Sequence, residues 1–183
     1  SPSPTAALTD PSRGRAVGQP WNGRLIDGQR LAPEGEGYRS IRQSRGRFYG
    51  TGRLVAGIEW TAKQVRAADP SAPPMAIGDL SAKNGGDVSH HRSHENGLDA
   101  DILLAWKDSD GKPVFAEDFV SLPARGAASY GGRKIYFDVA RTWLIVKALA
   151  TNPHMKVSMA FLDQSLINAL LDHAAKAGED KAL

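Results

Sequence analysis

The strongest periodic pattern in the sequence lies between residues 51 and 69 and predicts one amphipathic helix. Its apolar residues recur at intervals of three and four, as on one face of a helix: Leu54, Val55, Ile58, Ala62 and Val65. The helix is expected to stop at Asp69-Pro70, because the residue before a proline disfavours helical backbone. A helix with one apolar face needs other elements to cover that face, so the remaining chain must supply them.

Shorter patterns supply these covering elements. The apolar run at residues 74–80 predicts a buried strand. Apolar and polar residues alternate at 98–104 and again at 155–162, which predicts two further strands with one face towards the core. Asp138 and Asp163 each precede an apolar stripe at helical spacing, so they are predicted to cap two more helices.

The order of these elements is helix, strand, strand, helix, strand, helix. This order predicts an α+β fold with a small central antiparallel sheet flanked by helices. Residues 107–133, polar and rich in glycine, are expected to form a long connection with little regular structure.

The proline-rich start of the chain differs in composition from the rest. Residues 1–20 have almost no apolar periodicity and are predicted to form an extended or disordered lead outside the fold. Residues 21–183 are predicted to form one domain, since 183 residues with 41% hydrophobic side chains can bury a sizeable core. Every apolar stretch is far shorter than the roughly 20 residues that cross a bilayer, so membrane insertion is not expected.

The absence of cysteine limits the chemistry that the chain can perform. Thiolate catalysis, cysteine-based zinc sites and iron–sulfur clusters are excluded, so any bound metal must use His, Asp or Glu. The formal net charge of +3 is small for a nucleic-acid-binding protein. An arginine-rich stretch with interleaved aromatic residues, 38–53, nevertheless leaves open phosphate binding or attraction of carboxylate-bearing substrates.

A histidine cluster carries the clearest chemical signal. His90, His91 and His94 fall within five residues, and Asp99 and Asp101 follow after an Asn-Gly turn. Imidazole and carboxylate are the ligands that zinc uses when thiolates are lacking.

His94 and Asp101 are the predicted metal pair, because one enters the turn and the other lies off the core face of the following strand. A third ligand must come from elsewhere. The alternative metal motif, from His90 to His94, lacks the glutamate that zinc peptidases of the zincin type place after the first histidine. A solvent-exposed loop with no metal is the competing interpretation.

The same residues carry a resemblance to a known family. Gly78-Asp79, Gly85-Gly86, the run His91-Arg-Ser-His94 and the run from Gly97 to Ile102 resemble the first zinc-binding motif of the penicillin-insensitive murein endopeptidases. These belong to a superfamily with lysostaphin-like enzymes, D-alanyl-D-alanine peptidases and hedgehog-type domains. The resemblance implies a fold of that hedgehog-like type.

The resemblance implies a set of zinc ligands. His94 and Asp101 become zinc ligands and His91 an additional metal contact, while we assign Asp99 a supporting role in which it orients a ligand imidazole. The family also uses a later His-x-His, of which one histidine completes the coordination and the other assists proton transfer. The 183 residues contain no His-x-His, so this motif is expected to lie beyond Leu183 or to be absent, and the catalytic residues remain unassigned. We expect a truncated domain, a partner chain that completes the site, or a relative that has lost catalysis.

The implied activity is zinc-assisted hydrolysis of the peptide cross-links of peptidoglycan. Arg45 and Arg47 are predicted to bind carboxylates of the stem peptides, which are the expected partners. Such an enzyme is expected to be periplasmic or secreted, with its signal peptide already removed. The alternatives are an inactive relative that binds peptidoglycan or regulates a partner, and a basic nucleic-acid-binding module.

Overall fold

In a computed structural model of the chain, the described residues are 9–87, 92–121 and 127–179. Within these ranges the chain forms three α-helices and eleven short strands, so the predicted α+β class is confirmed. The helices are α1, α2 and α3, at Gly52–Ala68, Val139–Ala150 and Gln164–Lys176.

All three helices begin at side chains that cap them. The Thr51 hydroxyl accepts a hydrogen bond from the Leu54 amide at the start of α1. The carboxylates of Asp138 and Asp163 likewise accept amide hydrogen bonds at the starts of α2 and α3. The helices therefore occur where the local sequence predicts them, because both the cap and the apolar stripe are short-range signals.

The fold begins before the predicted boundary at residue 20. Strand β1 at Arg15–Gln19 pairs antiparallel with β2 at Asn22–Ile26, and the two form a hairpin. The second part of the predicted lead is therefore a paired strand.

Two further small sheets surround the start of α1. Strands β3 and β6, at Gln29–Arg30 and Tyr49–Gly50, pair antiparallel, and a 3₁₀ turn at Gln43–Arg45 lies between them in the chain. A three-stranded sheet has the order β4-β5-β7, with β4 at Glu34–Gly35, β5 at Tyr38–Ser40 and β7 at Met75–Ile77. Strands β5 and β7 are parallel, contrary to the expectation of a purely antiparallel sheet. The reason is that α1 lies between them in the chain, and a helical crossover joins parallel strands.

The expectation of little regular structure at 107–133 is only partly right. A four-stranded antiparallel sheet of order β10-β11-β8-β9 includes short pieces of this region, with strands at Trp106–Lys107, Pro113–Val114, Ala127–Tyr130 and Arg133–Phe137 for β8 to β11, while the described residues between β8 and β9 and from 115 to 121 form no strand. Each strand has only two to five residues. Strands of this length are too short for alternation to be visible in the sequence.

The two strands predicted from alternation are also wrong. Residues 98–104 form only an isolated bridge between Ile77 and Ile102, and residues 155–162 form no strand. The predicted faces differ too, because Leu98 is exposed whereas Leu103 is buried against Ile41 and Ala76.

The core consists of two main clusters. The first packs the stripe of α1 against β5, β7 and α2, and the second packs the four-stranded sheet against α2 and α3. Helix α2 contributes to both, so it joins the two halves of the molecule. Among the described residues, no helix has the length and apolar character that a membrane crossing requires.

Candidate metal centre

The site is built at the end of β7, where a second segment approaches very closely. The Gly78 amide donates to the Asp101 carbonyl oxygen at 2.8 Å, and the Asp101 amide donates to the Asp79 carbonyl oxygen at 2.9 Å. A Cβ atom on Gly78 would lie only 2.9 Å from the Cβ of Asp101. Glycine at this position therefore allows the approach, and the two hydrogen bonds fix the backbone of Asp101.

His94 occupies a strained position in the preceding turn. Its φ of 73° lies in the left-handed region, which is uncommon for residues other than glycine. The His94 amide donates to Oδ2 of Asp99 at 3.2 Å, and this bond helps to hold the turn. The predicted contact of Asp99 was with a ligand imidazole, whereas its carboxylate contacts the backbone of His94. Its supporting role for a metal stays a prediction.

The β1–β2 hairpin anchors the turn that carries His94. The Glu95 amide donates to the Pro20 carbonyl oxygen at 3.0 Å, and the Gly23 amide donates to Oε2 of Glu95 at 3.1 Å. Asn96 is fully buried, and its Nδ2 donates to the Gly18 carbonyl oxygen at 3.2 Å. Residues that the sequence analysis left outside the fold therefore position the site. The turn of this hairpin is Pro20-Trp21, because Gln19 already pairs with Asn22, and the proline at the first turn position is the local signal for it.

The side chains of His94 and Asp101 converge. Nε2 of His94 lies 3.4 Å from Oδ1 of Asp101, with the imidazole buried and the carboxylate side chain 29% exposed. Burial lowers the pKa of His94, but the hydrogen bond to Asp101 and the negative charges of Asp101, Asp99 and Asp79 outweigh burial and raise the pKa above its ordinary value. The structure thus brings the predicted pair together in a negatively charged setting.

The separation of these two atoms fits a shared zinc ion. Zinc binds nitrogen and carboxylate oxygen at about 2.0–2.2 Å in tetrahedral geometry, which places two ligand atoms about 3.4 Å apart. Within residues 9–87, 92–121 and 127–179, no group of three potential metal ligands comes together. The described part of the candidate site therefore consists of two donors, and their role as ligands stays a prediction.

Two of the sequence predictions for this site fall outside the described residues. His91, the predicted additional contact, lies in one gap between the described ranges. The His-x-His is predicted to lie beyond Leu183 or to be absent. Leu183 itself comes after Glu179, which is the last described residue. The third ligand and the catalytic residues therefore stay unassigned, as they were in the sequence analysis.

Arg45 and Arg47 contact Asp79, whose backbone carbonyl accepts the hydrogen bond from the Asp101 amide. Nη1 of Arg45 lies 2.6 Å from Oδ2 of Asp79, and Nη1 of Arg47 lies 3.2 Å from the same oxygen. Asp79 is 2% exposed, so its charge requires such partners. Asp79 belongs to the sequence motif that carries the family resemblance, but the motif alone assigns it no function. The predicted binding of substrate by the two arginines is not tested by these contacts.

Other arginines of the 38–53 stretch also make ion pairs within the chain. Arg42 pairs with Asp118, and Nε of Arg39 lies 3.8 Å from a carboxylate oxygen of Glu34. Charges that are balanced in this way contribute less to phosphate binding. These pairs weaken the nucleic-acid alternative without excluding it.

The chain is similar to proteins of one family. The family model described as penicillin-insensitive murein endopeptidase matches residues 16–169. A protein of Haemophilus influenzae with the name penicillin-insensitive murein endopeptidase is 37% identical over 111 residues, which cover 56% of this chain and 38% of that protein.

Two enterobacterial proteins with the same name give a similar result. A protein of Escherichia coli is 32% identical and one of Klebsiella pneumoniae is 31% identical, each over 105 residues that cover 56% of this chain. The aligned part spans 38% of the length of each relative. The family match includes β1, β2, the His94 turn and Asp101, which confirms the resemblance noted in the sequence. The chain belongs to the penicillin-insensitive murein endopeptidase family.

Proposed function

We propose that this chain carries the zinc-binding region of a murein endopeptidase, which hydrolyses the peptide cross-links of peptidoglycan. The observation that carries the proposal is the 3.4 Å separation between Nε2 of His94 and Oδ1 of Asp101. The family supports the proposal, because the related proteins are named murein endopeptidases. A hedgehog-like arrangement of the α+β fold is part of the same proposal.

His94 and Asp101 would hold the zinc ion, and His91 is the proposed additional contact. Bound zinc supplies Lewis-acid polarisation of the scissile carbonyl and lowers the pKa of a water molecule. The chain's own residues prepare this site. Asp99 holds the backbone turn of His94, and the backbone bonds of Asp101 to Gly78 and Asp79 fix the backbone that carries the Asp101 carboxylate.

This chemistry does not need an acylated serine. Hydrolysis with the help of a metal adds water directly to the amide, so no covalent acyl-enzyme forms. β-lactams act by acylating such serines, and a site of this kind offers them no serine to acylate. The proposal therefore accounts for the penicillin insensitivity in the name of the family.

The proposed substrate-binding residues are Arg45 and Arg47. Both contact Asp79, which is hydrogen-bonded to the backbone of Asp101, and the Arg45 side chain remains 30% exposed. Guanidinium groups bind carboxylates well, and peptidoglycan stem peptides carry carboxylates. Because the substrate lies in the cell wall, a periplasmic or secreted location belongs to this proposal, as does removal of a signal peptide.

The experiment compares zinc uptake with muropeptide release. The purified chain is incubated with sacculi in the presence of zinc, then with a chelator, and the soluble muropeptides are measured by chromatography. We expect about one zinc per chain. Release that stops with the chelator and returns with zinc would show that the chain carries the whole catalytic site. Asp101→Ala is the inactive control.

The other outcomes decide between the alternatives. Zinc uptake and sacculus binding without release would favour the inactive peptidoglycan-binding relative, or a site that a partner chain completes. A wild-type chain that takes up no zinc would contradict the proposal.

A further inference from the structure

A half-exposed aromatic side chain lies close to Asp101, one of the two proposed ligands. Phe119 is 46% exposed. A Cβ atom on Gly78 would lie 2.9 Å from Cζ of Phe119 as well as from Cβ of Asp101. The edge of the Phe119 ring therefore borders the same glycine that fixes the proposed ligand Asp101.

Two neighbours hold the Phe119 ring in place. The guanidinium carbon of Arg42 lies 4.6 Å from the ring centroid, which is a cation–π contact that covers one face. Nε of Arg42 donates to Oδ1 of Asp118 at 2.7 Å, and the same oxygen accepts a hydrogen bond from the Phe119 amide at 2.7 Å. Arg42, Asp118 and Phe119 are thus linked by direct contacts, which restrict the ring but leave part of it open to solvent.

The packing of the core does not account for this position. Phe119 is not among the residues that pack on the three buried clusters of the described chain. A fixed aromatic ring that stays exposed next to a metal pair offers an apolar contact at little entropic cost, since its rotamer is already restricted.

We propose that Phe119 is a specificity-determining residue, whose open face contacts the alkyl side chain of the substrate residue next to the scissile bond. This inference rests on the proposed function. Arg42 and Asp118 are positioning residues that orient the ring. Because the ring is apolar, it favours a residue whose methyl group can be buried against it over glycine, which has no side chain to bury.

The test uses two synthetic cross-linked stem peptides. In both, the scissile amide is replaced by a ketomethylene group, so that the chain cannot cleave them. They differ only in the residue next to this bond, which is alanine in one and glycine in the other. Their binding to the zinc-loaded 183-residue chain is measured by isothermal titration calorimetry. The wild-type chain is expected to bind the alanine peptide about fourfold more tightly, which is the gain from removing one methyl group from water.

Two variants of Phe119 test the contact, and one distant variant is the control. Phe119→Ala is expected to lose the preference and to bind the alanine peptide about fourfold more weakly. Phe119→Gln, which keeps a side chain of substantial length but removes its apolar face, is expected to lose the preference as well. Phe161→Ala removes an aromatic ring that is 89% exposed just before α3, and it should behave as wild type. Zinc content and the melting temperature are measured for each variant.

Different failures overturn different claims. If folded, zinc-loaded Phe119→Ala and Phe119→Gln keep the full preference for alanine, the inference is wrong and the proposed function stands. If Phe119→Ala does not fold, the preference of Phe119→Gln for the alanine peptide decides: a lost preference supports the inference, and a full preference overturns it. If the wild-type chain binds zinc but neither peptide, the proposed peptide substrate is wrong, and the inference fails with it.

Discussion

Residues 98–104 and residues 155–162 show the same alternation in the sequence but have different structural settings. The first segment is held beside β7 by three backbone hydrogen bonds, in which Gly78 bonds to Asp101, Asp101 to Asp79 and Leu103 to Ala76. The second segment forms no strand, and its alternating apolar residues Val157, Met159 and Phe161 are exposed. The comparison shows that alternation indicates which residues can share a face, whereas only a bonding partner fixes the segment.

The partner also determines which of the two segments can carry a metal ligand. The amide and the carbonyl of Asp101 are both hydrogen-bonded, to Asp79 and Gly78 respectively, and the β1–β2 hairpin anchors the turn before Asp101. The second segment is anchored mainly at its start, where Asn152 contacts Gly57 and Thr61 of α1. Changes near residues 94–101 should therefore affect zinc affinity, whereas changes near 152–161 should not.

The largest effect is expected from removing either proposed ligand. His94→Ala and Asp101→Ala should each weaken zinc binding more than about 100-fold, because even residues that only support a ligand contribute about 10- to 100-fold. His154→Ala, at the start of the second segment, is the control and should keep wild-type affinity. Competition with a chromophoric chelator measures all three. Wild-type affinity in both ligand variants would remove the assignment.

A pair of asparagines tests the anchors of the two segments. Asn96 bonds to the Gly18 carbonyl oxygen and the Leu98 amide, and Asn152 bonds to the Gly57 carbonyl oxygen and the His154 amide. Substitution of either by alanine should lower the free energy of unfolding by about 1–3 kcal/mol, since each leaves backbone groups without a partner. Only Asn96→Ala should also weaken zinc binding, by about tenfold.

Denaturant titration and zinc titration of the same two samples measure these effects. An equal loss of zinc affinity in both variants would show that overall stability, and not the hairpin anchor, controls the site.

The close approach at Gly78 gives a smaller effect. In Gly78→Ala the new Cβ would lie 2.9 Å from Cβ of Asp101, so the two segments must move apart. We expect a few-fold loss of zinc affinity and a loss of about 1–3 kcal/mol in the free energy of unfolding. Met159→Ser, in the exposed second segment, should change the free energy of unfolding by less than about 0.5 kcal/mol and keep wild-type zinc affinity in the same denaturant and zinc titrations. A Gly78→Ala protein indistinguishable from wild type would show that the segments are not in close contact.

The smallest effect is expected for Asp99→Asn. The asparagine oxygen can still accept a hydrogen bond from the His94 amide, so the turn should persist and zinc affinity should fall only slightly. The charge of Asp99 helps to raise the pKa of His94, so in the metal-free variant this pKa should be lower than in wild type. An NMR titration of the imidazole measures the shift. A loss of zinc as large as in Asp101→Ala would mean that Asp99 is itself a ligand.

The sequence predicts the local features of this fold better than its pairing. The three helices follow from short-range signals, namely apolar stripes and the capping residues Asp138 and Asp163. The strands of the four-stranded sheet are too short to produce a periodic signal, and the parallel pairing of β5 with β7 depends on the crossover through α1.

The candidate site likewise combines a local feature that the sequence predicts with long-range contacts that it does not. The approach of His94 to Asp101 was predictable, because both residues belong to one short motif. The anchoring of that motif by residues 18–23 joins positions more than 70 residues apart in the sequence, and no local pattern indicates such a contact.

The most direct measurement is an anomalous difference map from crystals of the chain grown with zinc. We expect a zinc peak within about 2.0–2.2 Å of both Nε2 of His94 and Oδ1 of Asp101. A map in which the two side chains point apart, with no peak between them, would show that His94 and Asp101 do not bind a shared zinc ion.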